Sequence, residues 1–161
     1  MNNATKTDTA AVAAAAALGG AALFALISRV AAAAAAESSS SAPIREPGIK
    51  AWRMSKWVKH GGILRTQGLC GDFGKMPSST AQQTAEALQK LDDILTDAGL
   101  GRKNLLAVTI YIADISPDNF DEMNSVYDEW VDPDGLPTRL CVQAKMGHGA
   151  AVEIRAEAYC D

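Results

Sequence analysis

Three polar side chains stand where chemistry could be done. Arg139 follows Leu136-Pro137-Thr138 at the start of a strand-like run, Glu153 lies between Val152 and Ile154 in the last such run, and Asn124 falls in a helical pattern. A guanidinium held at a strand start by a rigid proline can receive a carboxylate through two parallel hydrogen bonds. The commoner role of such an arginine is a surface salt bridge. Glu153 shares its strand face with Ala151, Arg155 and Glu157, because strand side chains alternate. A carboxylate there either meets solvent, the commoner case, or positions a water and acts as a general base. Asn124 is by type more often a hydrogen bonder at a helix surface than a reacting group. If the two terminal strands are neighbours, Arg139 and Glu153 can share one pocket.

The other reactive side chains offer less. Cys141 lies two residues after Arg139, but no histidine or other base is spaced around it as in a nucleophile motif, so a buried inert thiol is the better reading. Cys70, Cys141 and Cys160 are too few and too scattered for a disulfide framework. His60 and His148 lack the paired spacing of metal ligands, so no metal site is expected; both read as turn or loop residues. Trp52, Trp57 and Trp130 read as packing, with an interface as the alternative.

The elements that must position these residues follow from periodicity. Residues 54–59 and 63–68 are short runs around His60-Gly61-Gly62, a strand, turn and strand. After a Gly-rich loop at 70–77, Ser79 or Thr80 opens a helix with Gln82 or Gln83 three residues on, and Ala87, Leu88, Leu91, Ile94, Leu95 and Ala98 recur at helical spacing before Gly99 stops it. Residues 105–113 are β-branched and apolar, as in a central strand covered by a helix on one face and by something else, such as another subunit, on the other. Phe120, Met123, Val126, Tyr127 and Trp130 mark a second helix over 119–131, and strands over 138–145 and 151–159 close the chain. The order β-β-α-β-α-β-β describes an α+β domain, a mixed sheet with two helices packed on one face.

Ahead of this domain, assigned to 51–161, stand two segments of other composition. Much of the 48% hydrophobic content is alanine within residues 1–36, where 10–27 carry no charge. That run reads as a removed targeting peptide, with a marginal membrane anchor as the alternative. Its composition points to no single destination; mitochondrion, plastid and the secretory route all stay open. Contact with a membrane is expected only if the leader is retained. Residues 37–50, rich in Ser, Pro and Gly, read as a flexible linker. Lys6, Arg29, Arg45 and Lys50 against Asp8, Glu37 and Glu46 put +1 before residue 51, so the total of −4 leaves −5 on the domain. No basic block follows a phosphate backbone, which argues against nucleic acid as partner.

Leu136-Pro137-Thr138-Arg139-Leu140-Cys141-Val142-Gln143-Ala144, followed by Val152-Glu153-Ile154-Arg155-Ala156, resembles the carboxy-terminal signature of the RidA/YjgF/YER057c family, the reactive intermediate deaminases. Thr66-Gln67-Gly68, Ala98-Gly99-Leu100 and Met123-Asn124-Ser125-Val126-Tyr127 extend the resemblance over essentially all of 51–161. It implies a chorismate-mutase-like fold, a homotrimer with the ligand in clefts between subunits, and cofactor-free hydrolysis of 2-imino acids to 2-oxo acids and ammonia. By position Arg139 matches the family's carboxylate-binding arginine and Glu153 the glutamate that holds the attacking water. Cys141, Asn124 and Gln67 match positions at the pocket. The sequence departs from the deaminating branch at Met54, where that branch has tyrosine, and at Gln67, where it has serine. Its wording is closer to the YoaB-like branch. The resemblance leaves two other readings, binding of a 2-oxo acid without turnover and a chaperone-like interaction protein.

Overall fold

The first helix, α1 (Thr80–Asp97), forms where the capping pattern placed it. Ser79 accepts the Gln82 N–H at 3.1 Å, and Gly99 ends the helix with φ +73°. Ala87, Leu88, Leu91, Ile94 and Leu95 are buried along one face, each large side chain contributing about 1.5–3 kcal/mol. The computed structural model describes residues 42–48, 50, 52–72, 74 and 78–160, with Ser28 alone before them. Apart from Ser28, the leader expected over 1–36 lies outside the described residues, as do 37–41 of the expected linker.

The face of α1 covers a seven-stranded sheet: β1 (Ile44–Pro47), β2 (Ser55–His60), β3 (Ile63–Thr66), β4 (Leu69–Cys70), β5 (Leu105–Ile112), β6 (Thr138–Gln143) and β7 (Val152–Tyr159). The order is β1-β2-β3-β7-β5-β6, with β4 also pairing β7. Gly61 and Gly62, at φ +58° and +74°, supply the two left-handed residues of the β2–β3 hairpin. Every pairing is antiparallel except β5–β6, whose parallel register requires a crossover, and α2 (Pro117–Trp130) provides it. The α+β class, the mixed sheet and the two helices on one face are as the sequence predicts.

Two features differ from that expectation, and one condition it left open is decided. Residues 44–47, inside the stretch read as linker, form β1. All four are exposed, so the strand is held by its backbone ladder to β2 rather than by burial, which a composition argument cannot see. β4, at 69–70, arises at the boundary where the expected Gly-rich loop, 70–77, begins. And the two terminal strands are not neighbours, because β5 runs between β6 and β7 and bonds to both.

Burial along β5 alternates instead of being complete. Val108, Ile110 and Ile112 lie under the helices, whereas Ala107, Thr109 and Tyr111 are half-buried on a face that no described element covers. At the far end Asp92 joins the layers: Arg102 binds it in a fork at 2.9 and 2.6 Å, and Trp130 Nε1 donates to it at 2.9 Å.

Candidate functional site

Glu153 owes its position to a bulge. Between the pairs Arg65↔Glu157 and Leu69↔Ile154, three residues of one strand, Thr66, Gln67 and Gly68, oppose two of β7, Arg155 and Ala156. The Thr66 hydroxyl accepts the Ala156 N–H at 3.0 Å, repairing the ladder where the backbone detours. Gly68 then lies flat against the Glu153 carboxylate. A Cβ there would overlap Glu153 Oε1 and come within 2.7 Å of its Cδ, so a side chain at 68 requires the Glu153 carboxylate to move. Cys70, the cross-strand partner of Glu153, donates its thiol to Oε2 at 3.5 Å.

Burial, then the charge of Glu153 and the hydrogen bond to it, push the Cys70 thiol up to about 12. It is a proton donor and not a thiolate across the physiological range. Glu157, two places along on the same face as Glu153 expects by alternation, shows the contrast. Arg65 Nε reaches it at 3.0 Å and Arg155 Nη2 at 3.7 Å, a solvated charge cluster. Glu153 has no ion pair among the described residues and stands where two cavities meet. The larger, about 720 Å³, is lined by Gln67, Gly68, Cys70, Lys90, Arg53 and Lys50 among others. The smaller, about 270 Å³, includes Tyr111 and Arg155.

Arg139 belongs to a second set. It pairs with Val108, itself paired with Ala156, so it points to the helix-covered side of the sheet. Its Nη2 donates to Asn124 Oδ1 at 2.7 Å and lies 3.0 Å from Met123 Sδ, and its Cζ sits 4.5 Å from the centre of the Tyr127 ring. Nε and Nη1 have no partner among the described residues, which leaves N–H donors of the guanidinium available to a carboxylate. Cys141 lies on the same strand face, its thiol raised by burial and partly offset by Arg139.

Within one chain the five expected site residues therefore divide. Gln67 joins Glu153, while Asn124 and Cys141 join Arg139. Glu153 pairs with Tyr111, three residues beyond Val108, so its side chain leaves the opposite face of the sheet. The convergence that neighbouring terminal strands would give does not occur inside a single chain. Gly68, Cys70, Lys90, Lys50 and Arg53 escaped the sequence reading; the one available signal was a glycine inside a strand run, which marks a bulge or a close backbone approach.

The family model described as Endoribonuclease L-PSP matches residues 48–160. A RutC family protein of Aquifex aeolicus is 35% identical over 105 residues, 62% of this chain and 82% of that protein. Mmf1 of Schizosaccharomyces pombe, named as mitochondrial, is 31% identical over 73% of each chain. TdcF of Escherichia coli, whose name proposes a reactive intermediate deaminase, is 30% identical over 62% of this chain and 80% of its own. A crystal structure of TdcF with bound serine superposes with a TM-score of 0.60, covering 73% of this chain and 94% of that one at 27% identity.

Proposed function

This chain belongs to the RidA/YjgF family, the one whose model is described as Endoribonuclease L-PSP, and on that premise we propose that it hydrolyses reactive 2-imino acids to 2-oxo acids and ammonia. The observation that carries the reading is the Glu153 carboxylate, held by Gly68 and Cys70, free of any ion pair among the described residues and facing open volume.

A water accepted by Glu153 attacks C2 of the imine while its proton passes to the carboxylate. The imine reacts protonated on nitrogen, so the adduct carries a hydroxyl and an amino group; Glu153 returns the proton to nitrogen, the C2–N bond breaks, and the hydroxyl proton passes to Glu153 and on to the departing ammonia, leaving the 2-oxo acid. An imine is already electrophilic, so orienting one water and fixing the substrate carboxylate supplies most of what catalysis needs. Arg139, with Asn124 at its Nη2, is the carboxylate anchor. Because it leaves the other face of the sheet, the complete site takes Arg139 from one subunit and Glu153 from another, in a homotrimer. The uncovered face of β5 and the exposed Leu136 and Leu140 beside Arg139, 69% and 57% accessible, support such an interface.

Residues 1–36 are read as a targeting segment, and the mitochondrial relative supports an organelle as destination. Amino-terminal sequencing of the mature protein from its own cells tests this; a start near residue 37 is expected, and an intact Met1 overturns it.

The activity is tested by generating 2-iminopropanoate in place with an amino-acid oxidase and following its loss against a semicarbazide trap. The full-length protein is expected to accelerate hydrolysis, and folded Arg139→Ala and Glu153→Gln variants to abolish the acceleration. No acceleration by the assembled wild-type protein, across several imino acids, overturns the reading and favours ligand binding without turnover.

A further inference from the structure

The larger cavity beside Glu153 has a cationic mouth that the hydrolysis of a small imine does not use. Lys50 and Arg53 sit on one closed turn: the Arg53 and Met54 N–H groups donate to the Lys50 carbonyl at 2.8 and 3.1 Å. That turn is seated against the strand before it, where the Gly48 N–H donates to the Met54 carbonyl at 3.3 Å and any side chain at Gly48 would meet the same oxygen at 2.9 Å. The Arg53 guanidinium lies 4.6 Å from the centre of the Trp52 ring, which restricts its rotamers before a ligand arrives. Neither Lys50 nor Arg53 has a salt-bridge partner among the described residues, in a chain of net charge −4 that offers nineteen carboxylates.

The third cation there is differently placed. Lys90 donates to the carbonyls of Cys70 and Gly71 at 2.7 and 3.1 Å and thereby holds β4 in place. The carboxylates that line the cavity are Glu153 at its floor and Asp72, which accepts the Gly74 N–H at 2.9 Å. Lys50 and Arg53 are thus the cations left to meet a ligand. The cavity, at about 720 Å³, is of the size that encloses ligands well beyond three carbons. Gln67 and Met54 line the same cavity, and the Gln67 amide brings both a donor and an acceptor to its lining.

We infer that Lys50 and Arg53 form a distal anion subsite that selects 2-imino acids carrying a second carboxylate, such as the four- and five-carbon imino diacids. This rests on the deaminase reading, with the reacting C2 at Glu153 and the first carboxylate at Arg139. The second carboxylate is carried toward the turn at 50–53, where two unpaired cations replace its water.

The test compares kcat/KM of the full-length protein for 2-iminosuccinate and 2-iminopropanoate, each generated in place by an oxidase. Calorimetric binding of 2-oxoglutarate and pyruvate runs in parallel. A preference for the diacid of roughly tenfold or more is expected, falling toward unity in Arg53→Gln and Lys50→Gln and retained in Arg53→Lys, which keeps the charge. Both positions are exposed, so folding is not at stake. Equal kcat/KM for both imines, unchanged in the variants, overturns the subsite and leaves the deaminase reading standing. If neither imine is hydrolysed, that reading falls, and the binding arm decides the subsite: a 2-oxoglutarate preference lost in Arg53→Gln sustains it, and its absence overturns it.

Discussion

Glu153 and Arg139 are positioned by opposite means. Glu153 is positioned by backbone, lying against Gly68 within a bulge and tied by one thiol hydrogen bond. Arg139 stands exposed on an edge strand and is steered by side chains of α2, Asn124 and Tyr127. A group that must aim a water benefits from rigid support. A group that must close on a carboxylate can remain open until a second surface covers it.

Breaking the backbone support is expected to have the largest effect. Gly68→Ala should displace the Glu153 carboxylate and lower kcat by roughly a hundredfold, the scale of a 1 Å misplacement. Urea denaturation should show the protein still folded, since overpacking costs about 1–3 kcal/mol. An unchanged kcat would show that Glu153 is not the water-holding group.

The steered arginine should respond differently. Arg139→Lys loses the planar fork but keeps the charge, and kcat/KM should fall by roughly ten- to a hundredfold, mainly through KM. Asn124→Ala, which removes the 2.7 Å contact, should raise KM by a smaller factor of about two to five at nearly constant kcat. A purely kcat effect in both variants would place Arg139 in the chemistry rather than in binding.

Cys70 sharpens the comparison with the smallest effect. Cys70→Ser keeps a donor to Glu153 and should lower kcat at most a few-fold, whereas Cys70→Val, of similar shape without the donor, should lower it further. With its thiol at about 12, roughly one in ten thousand molecules is a thiolate at pH 8, so iodoacetamide should modify it far more slowly than free cysteine. The sign of its coupling to stability follows. Between the ordinary thiol value of 9.0 and about 12 the unfolded chain releases the proton that the folded chain keeps, so stability declines with rising pH over that window. Cys70→Ser should remove this part of the alkaline decline in pH-dependent denaturation.

Much of the fold was legible because it follows from local rules. The caps and spacing of α1 and the hairpin glycines each specify their element within a few residues. β1 and β4 were not legible, since a four-residue exposed strand and a two-residue strand carry no burial pattern and exist by pairing with chain far away. Arg139 and Glu153 could be singled out by type and placement. Their separation onto opposite faces could not, because it depends on β5 running between β6 and β7, a non-local fact. Lys50 was hidden because composition counted it with the linker, and Arg53, at the start of the assigned domain, carried no motif that marked it.

The contact between Gly68 and Glu153 also makes the two positions a single unit of inheritance. A side chain introduced at 68 meets the Glu153 carboxylate and must displace it; truncating residue 153 to alanine removes the carboxylate and opens the space. Gly68→Ala should therefore cost less stability in a Glu153→Ala background than in the wild type, a non-additivity that a double-mutant cycle reads directly. A lineage that loses the glutamate relaxes the demand for glycine at 68, and one that retains the glutamate can change the glycine only by moving the carboxylate.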